Sequence, residues 1–274
     1  MRLRLFVLLT TCGFLIFALT MTFVPVMPAW ANYATRAGLL VVFGALWWVA
    51  RDGHRLSQFR PVFFAYFAAV LGLSLGFFFA DMVLEVFGLT THTPVGIAVA
   101  KLVQASLIVI GILAVARLCG ESSASLYIRK GRLILGLSVG VITAGALLVL
   151  SLLQPAVRAL GAARLMSLGP WILLFVLSNA FMEELLFRGL FLGRYEPLIG
   201  RWPAVLSTGL AFTLAHMQVK YAPELLVFLA VTFGFSIAWG WLMQKTESLW
   251  GSVLFHAGAD LLIILPIFSS LGAA

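Results

Sequence analysis

Charge is scarce in this chain. Asp, Glu, Lys and Arg together make up 10% of its 274 residues, against about 25% in a soluble globular domain. That is too little polar surface to keep a globule of this size in water. Cysteine is nearly absent. Cys12 and Cys119 are the two present, and neither has ligand or redox-pair spacing, which argues against a disulfide framework. Acidic residues are fewer than basic ones, 10 against 18, for a net charge of +8. The basic residues sit mostly in short stretches between apolar runs and are not interleaved with aromatics, so the excess does not read as a nucleic-acid surface. Internal repeats and low-complexity segments are also lacking, which counts against the inverted-repeat architecture of many transporters.

What the chain has is apolar length. It is 62% hydrophobic, with a mean hydropathy of +1.09. The apolar runs are about 20 residues long, the length of a bilayer-crossing helix and not the alternating ten-residue pattern of a membrane barrel. They fall at 5–27, 33–50, 61–80, 95–116, 133–153, 170–192, 203–217, 223–243 and 249–268. The expectation is an all-α polytopic membrane bundle of about nine transmembrane helices. It becomes eight if the first run is a signal cleaved near Ala29-Trp30-Ala31; that run is longer than a signal core, which favours a retained helix. The polar connection at 119–132 divides the chain into a four-span region, 1–132, and a five-span region, 133–274.

With the N-terminus in the cytoplasm, twelve of the 18 Lys and Arg residues fall on the cytoplasmic side. Four fall outside (Arg36, Arg158, Arg164 and Lys220), and Lys101 and Arg188 lie within spans. This positive-inside bias predicts a cytoplasmic N-terminus and an outer C-terminus, in a bacterial inner or plasma membrane.

Ionisable residues inside spans are the informative exceptions, at a cost of about 2.5–3.5 kcal/mol each on insertion scales. The run 170–192 carries three: Glu183, Glu184 and Arg188. Glu184 and Arg188 are four apart and share a face of an α-helix, so they can neutralise each other. Glu183 points about 100° away and has no partner on its own helix, and an unpaired buried carboxylate is a good general base. Two further spans carry Phe212-x-x-x-His216 and His256-x-x-x-Asp260, where Asp260 can orient the His256 ring. Counted from the cytoplasmic ends of their spans, Glu183 is ~16 Å deep, His216 ~20 Å and His256 ~11 Å, so three helices could bring them together. Asp81, Glu85 and Lys101 read as an interhelical pairing.

Glu-Glu-x-x-x-Arg, Phe-x-x-x-His and His-x-x-x-Asp, in that order on successive apolar segments, resemble the CPBP family: the CAAX proteases and bacteriocin-processing enzymes, also called Abi proteins. The resemblance spans 165–265 and fits at Glu183, Glu184, Arg188, Phe212, His216, His256 and Asp260. It implies an intramembrane endopeptidase acting on a membrane-associated or C-terminal-tail substrate. Glu183 would activate water with help from His216. His256 and Asp260 would stabilise the oxyanion or bind metal. Glu184 and Arg188 would support the base, and Phe212 would line the site. The residues are compatible with a divalent metal such as zinc, held by Glu183, His216, His256 and Asp260 with one position open to water. They are equally compatible with metal-free hydrolysis. The alternatives are a proton- or ion-coupled transporter and a non-catalytic membrane scaffold or immunity protein. The oligomeric state is not legible.

Overall fold

A computed structural model describes residues 2–22, 24–219 and 224–271; Lys220, counted above on the outer side, lies outside them. Eleven α-helices are described: α1 (Arg2–Phe17), α2 (Ala29–Val49), α3 (Arg60–Val86), α4 (Pro94–Leu118), α5 (Leu133–Leu152), α6 (Pro155–Arg158), α7 (Gly161–Glu184), α8 (Gly193–Ile199), α9 (Arg201–Ala215), α10 (Leu225–Thr246) and α11 (Trp250–Leu271). Two π-helical segments, Ala18–Thr22 and Leu185–Leu192, continue α1 and α7. No strand occurs among the described residues.

All nine apolar runs fold as helices. Seven helical stretches among the described residues are long and apolar enough to cross a bilayer. The other two fall short for visible reasons: Asn32 and Arg36 lower the hydropathy of α2, and α9 has only 15 residues. Large apolar side chains such as Val41, Ile134, Ile142 and Leu226 are exposed. Lipid solvates such faces, and water would not. The chain is an integral membrane protein.

The chain forms two compact units of interleaved segments: residues 1–74, 111–126 and 185–241 in the first, and 75–110, 127–184 and 242–274 in the second.

The first unit is built around the buried π segment 185–192. Phe17 of α1 stacks on Phe187 with ring centroids 3.9 Å apart. Thr10 donates to Ser207 Oγ at 2.8 Å, and the Tyr195 hydroxyl donates to the Leu9 carbonyl at 3.1 Å. Cleavage after Ala31 would remove all these contacts. Arg36 is not a loop cation. It is 1% exposed, and its guanidinium donates to Asn32 Oδ1 and to the Leu73 and Thr20 carbonyls. It therefore drops out of the outer-side count.

In the second unit α11 packs on α5 and α7. The contact with α5 is close because glycines face it. A Cβ on Gly258 would lie 2.5 Å from Ala144 Cα, and one on Gly251 would lie 2.5 Å from the Gly136 carbonyl oxygen. These neighbours are backbone atoms that cannot step aside. The Gly136-x-x-x-Gly140 pattern is one side of this contact. Below it, Arg132 N donates to the Thr246 carbonyl and Leu249 N to the Tyr127 carbonyl, which fixes where α11 begins. Gly258→Val is expected to lower the thermal unfolding midpoint in detergent, through overpacking of about 1–3 kcal/mol. Gly145→Ala, where a Cβ meets only open space, should leave the midpoint in place. Equal midpoints for the two variants would contradict the packing described.

Candidate active site

Three buried acids and one imidazole meet in the second unit. Helix α7 supplies Glu183 and Glu184 in its last turn, and α11 supplies His256 and Asp260 one turn apart. His256 is 2% exposed. Its Nδ1 lies 2.9 Å from Glu184 Oε1. Its Nε2 lies 3.4 Å from Glu183 Oε2 and 3.6 Å from Asp260 Oδ1. A carboxylate accepts, so Nδ1 donates to Glu184, which fixes the ring orientation. Nε2 then faces two carboxyl groups, and a proton has to lie among those three groups for the contacts to be attractive.

Asn179 completes this cluster and was not singled out from the sequence. Its amide donates to Asp260 Oδ2 at 3.0 Å, leaving Oδ1 toward His256. Asn179 precedes Glu183 by four residues in an otherwise apolar run, so the two share one face of α7. That spacing was the available signal.

The first unit holds the other motif residues. Arg188, fully buried in the π segment, donates from Nη2 to Ser236 Oγ at 2.5 Å and to the Ser236 carbonyl at 3.2 Å. Its guanidinium carbon is 4.7 Å from the centre of the Phe212 ring and 5.3 Å from that of Trp239, where aromatic faces help to hold a desolvated cation. His216 closes α9. Its Nδ1 donates to the Phe212 carbonyl at 2.8 Å. Its ring lies 4.5 Å from that of Phe212. Phe212 thus packs against both Arg188 and His216.

The α-helical part of the first motif ends at Glu184, and Arg188 lies in the π segment that follows. Downstream, Arg194 donates to the Gly189 and Leu190 carbonyls and pairs with Glu121 at 3.1 Å, so the end of the π segment is capped by a buried guanidinium.

Among the described residues no group of three or more His, Cys, Asp or Glu side chains is disposed to hold a metal ion. His256 instead directs one nitrogen at Glu184 and the other at Glu183 and Asp260. The chemistry this cluster offers is acid–base: a carboxyl group able to take a proton, beside an imidazole able to donate one.

Residues 166–262, about a third of the chain, match the family model described as Rce1-like type II CAAX prenyl endopeptidase. The match includes Asn179, Glu183, Glu184, Arg188, Phe212, His216, His256 and Asp260. No curated protein and no solved structure matches the chain.

Proposed function

We propose that the chain is a membrane-embedded peptidase of the CAAX-protease kind, the family whose model residues 166–262 match. Glu183 is the general base. It takes a proton from a water molecule, which attacks the scissile carbonyl. His256, held at Nδ1 by Glu184, donates from Nε2 to the developing oxyanion, where a fixed donor in a dry site acts most strongly. Asp260, oriented by Asn179, supports the protonated ring. Glu183 then returns its proton to the leaving amine. In the second role Glu184 and Asp260 act through His256 and do not touch the substrate. The observation that carries this reading is the clamping of one buried imidazole between Glu183 and Glu184.

By the resemblance of the second motif alone, His216 is assigned to positioning the water. Arg188 supports the fold of the π segment from within its aromatic cage. The five-span region 133–274 is the proposed catalytic core, and the N-terminus is placed in the cytoplasm by the charge bias. The substrate class is a C-terminal tail or membrane-proximal segment of a protein. A prenylated CAAX-type tail is the first to test, because the matching family model names it.

No step passes through a metal, and this is checked directly. Purified chain in liposomes is incubated with a farnesylated CAAX-type peptide and the products are identified by mass spectrometry. Cleavage is expected, at a rate that 1,10-phenanthroline and EDTA leave within about twofold. A chelator-sensitive rate that added zinc restores would replace the metal-free step with a metal-assisted one. Proton-coupled flux without cleavage would favour the transporter reading.

A further inference from the structure

Lys101 lies seven residues into α4, inside an apolar span of 25 residues. A cation there is costly and needs a reason. The expected pairing with Asp81 or Glu85 does not occur: both are exposed, and among the described residues Lys101 forms no ion pair. Its ammonium donates to Gln104 Oε1 at 3.1 Å and lies 5.7 Å from the centre of the Phe175 ring. It is only half-buried.

The position along α7 matters. Phe175, Asn179 and Glu183 recur every four residues, so they form one row on one face of that helix. Lys101 stands at the level of the first, and the proposed base is the last. Eight residues of α-helix separate those levels by about 12 Å, which is the length of three to four residues of extended chain at roughly 3.3–3.6 Å each. Between the two levels the row carries one polar group, the Asn179 amide.

We infer that Lys101 and Gln104 form a carboxylate-binding subsite that reads the free C-terminus of the substrate, three to four residues beyond the bond facing Glu183. The donors fit this ligand. Because the lysine donates to Gln104 Oε1, the Gln104 amide is oriented with its NH₂ free to donate, and the ammonium keeps two further protons for a carboxylate. A bound carboxylate would supply the counter-charge that the protein does not pair with Lys101, and its hydrogen bonds would be charge-assisted. The subsite makes the enzyme a reader of chain ends and not of internal loops. This inference rests on the peptidase reading above.

Binding separates the two. The Glu183→Gln chain is reconstituted in nanodiscs, and its affinity is measured for a farnesylated CAAX-type peptide as the free acid and as the C-terminal amide. The acid is expected to bind about tenfold more tightly, a difference that one charge-assisted contact supplies. Adding Lys101→Gln should erase the preference by weakening the acid alone, and Lys101→Arg should keep it. Thermal unfolding confirms that each variant is folded. Equal binding of acid and amide, no binding of either, or a Lys101→Gln effect of the same size on both forms would overturn the subsite. The last result would make Lys101 a structural residue only. The peptidase reading is judged separately, by whether the chain with Glu183 intact cleaves either peptide.

Discussion

Glu183→Gln lowers the cleavage rate roughly 10²–10⁴-fold, the usual contribution of a positioned general base, and leaves the fold intact. Gln matches Glu in size and keeps an oxygen that can accept from His256, but its amide cannot take a proton from water. Glu183 is 6% exposed, so bulk water offers no ready substitute for it. The effect should fall on kcat, because the lost interaction belongs to the transition state. Measuring kcat, KM and the thermal midpoint of the same preparation checks all three points. Unchanged turnover in a folded Glu183→Gln chain would remove the mechanism.

His256→Ala lowers the rate about 10²–10³-fold, as expected for loss of an oxyanion donor, and it also destabilises the protein. The ring is the shared partner of Glu183, Glu184 and Asp260, and removing one partner of a buried ionic cluster costs about 3–5 kcal/mol. The two effects can be separated. Assaying His256→Ala well below its own midpoint restores the folded fraction, and cleavage is expected to stay lost. The combination of Glu183→Gln and His256→Ala should fall little below the worse single variant, because the two residues serve one step. Losses that multiply would mean that the two act independently. Recovery of activity together with stability would reduce His256 to a packing residue.

Much of the architecture is legible without coordinates because a bilayer imposes it. Apolar runs of about 20 residues have to fold as helices, since backbone groups in hydrocarbon must be satisfied within their own segment. The runs therefore locate the helices to within a few residues, as at α5 and α11. The failures are local. Arg36 reads as a loop cation because its position follows a boundary guess, and its burial depends on two carbonyls supplied from Thr20 and Leu73. Lys101 reads as paired with Asp81 or Glu85, yet it turns to Gln104 on its own helix.

The first motif shows the division most clearly. The sequence by itself determined that three ionisable groups lie in one apolar helix, and that such groups need partners. It also placed imidazoles on two later apolar segments. It did not determine who pairs with whom. Helical spacing offers Arg188 to Glu184 and leaves Glu183 alone. In the folded chain both glutamates contact His256, across 72 residues of sequence in the case of Glu184, and Asn179 joins through Asp260. The physical reason is that periodicity fixes only the face a residue occupies on its own helix. The pairing depends on how closely α11 approaches its neighbours, which glycine contacts with α5 set, and on where α7 passes from α-helical to π-helical hydrogen bonding. Both are properties of the packed backbone, and neither is written in the spacing of residues.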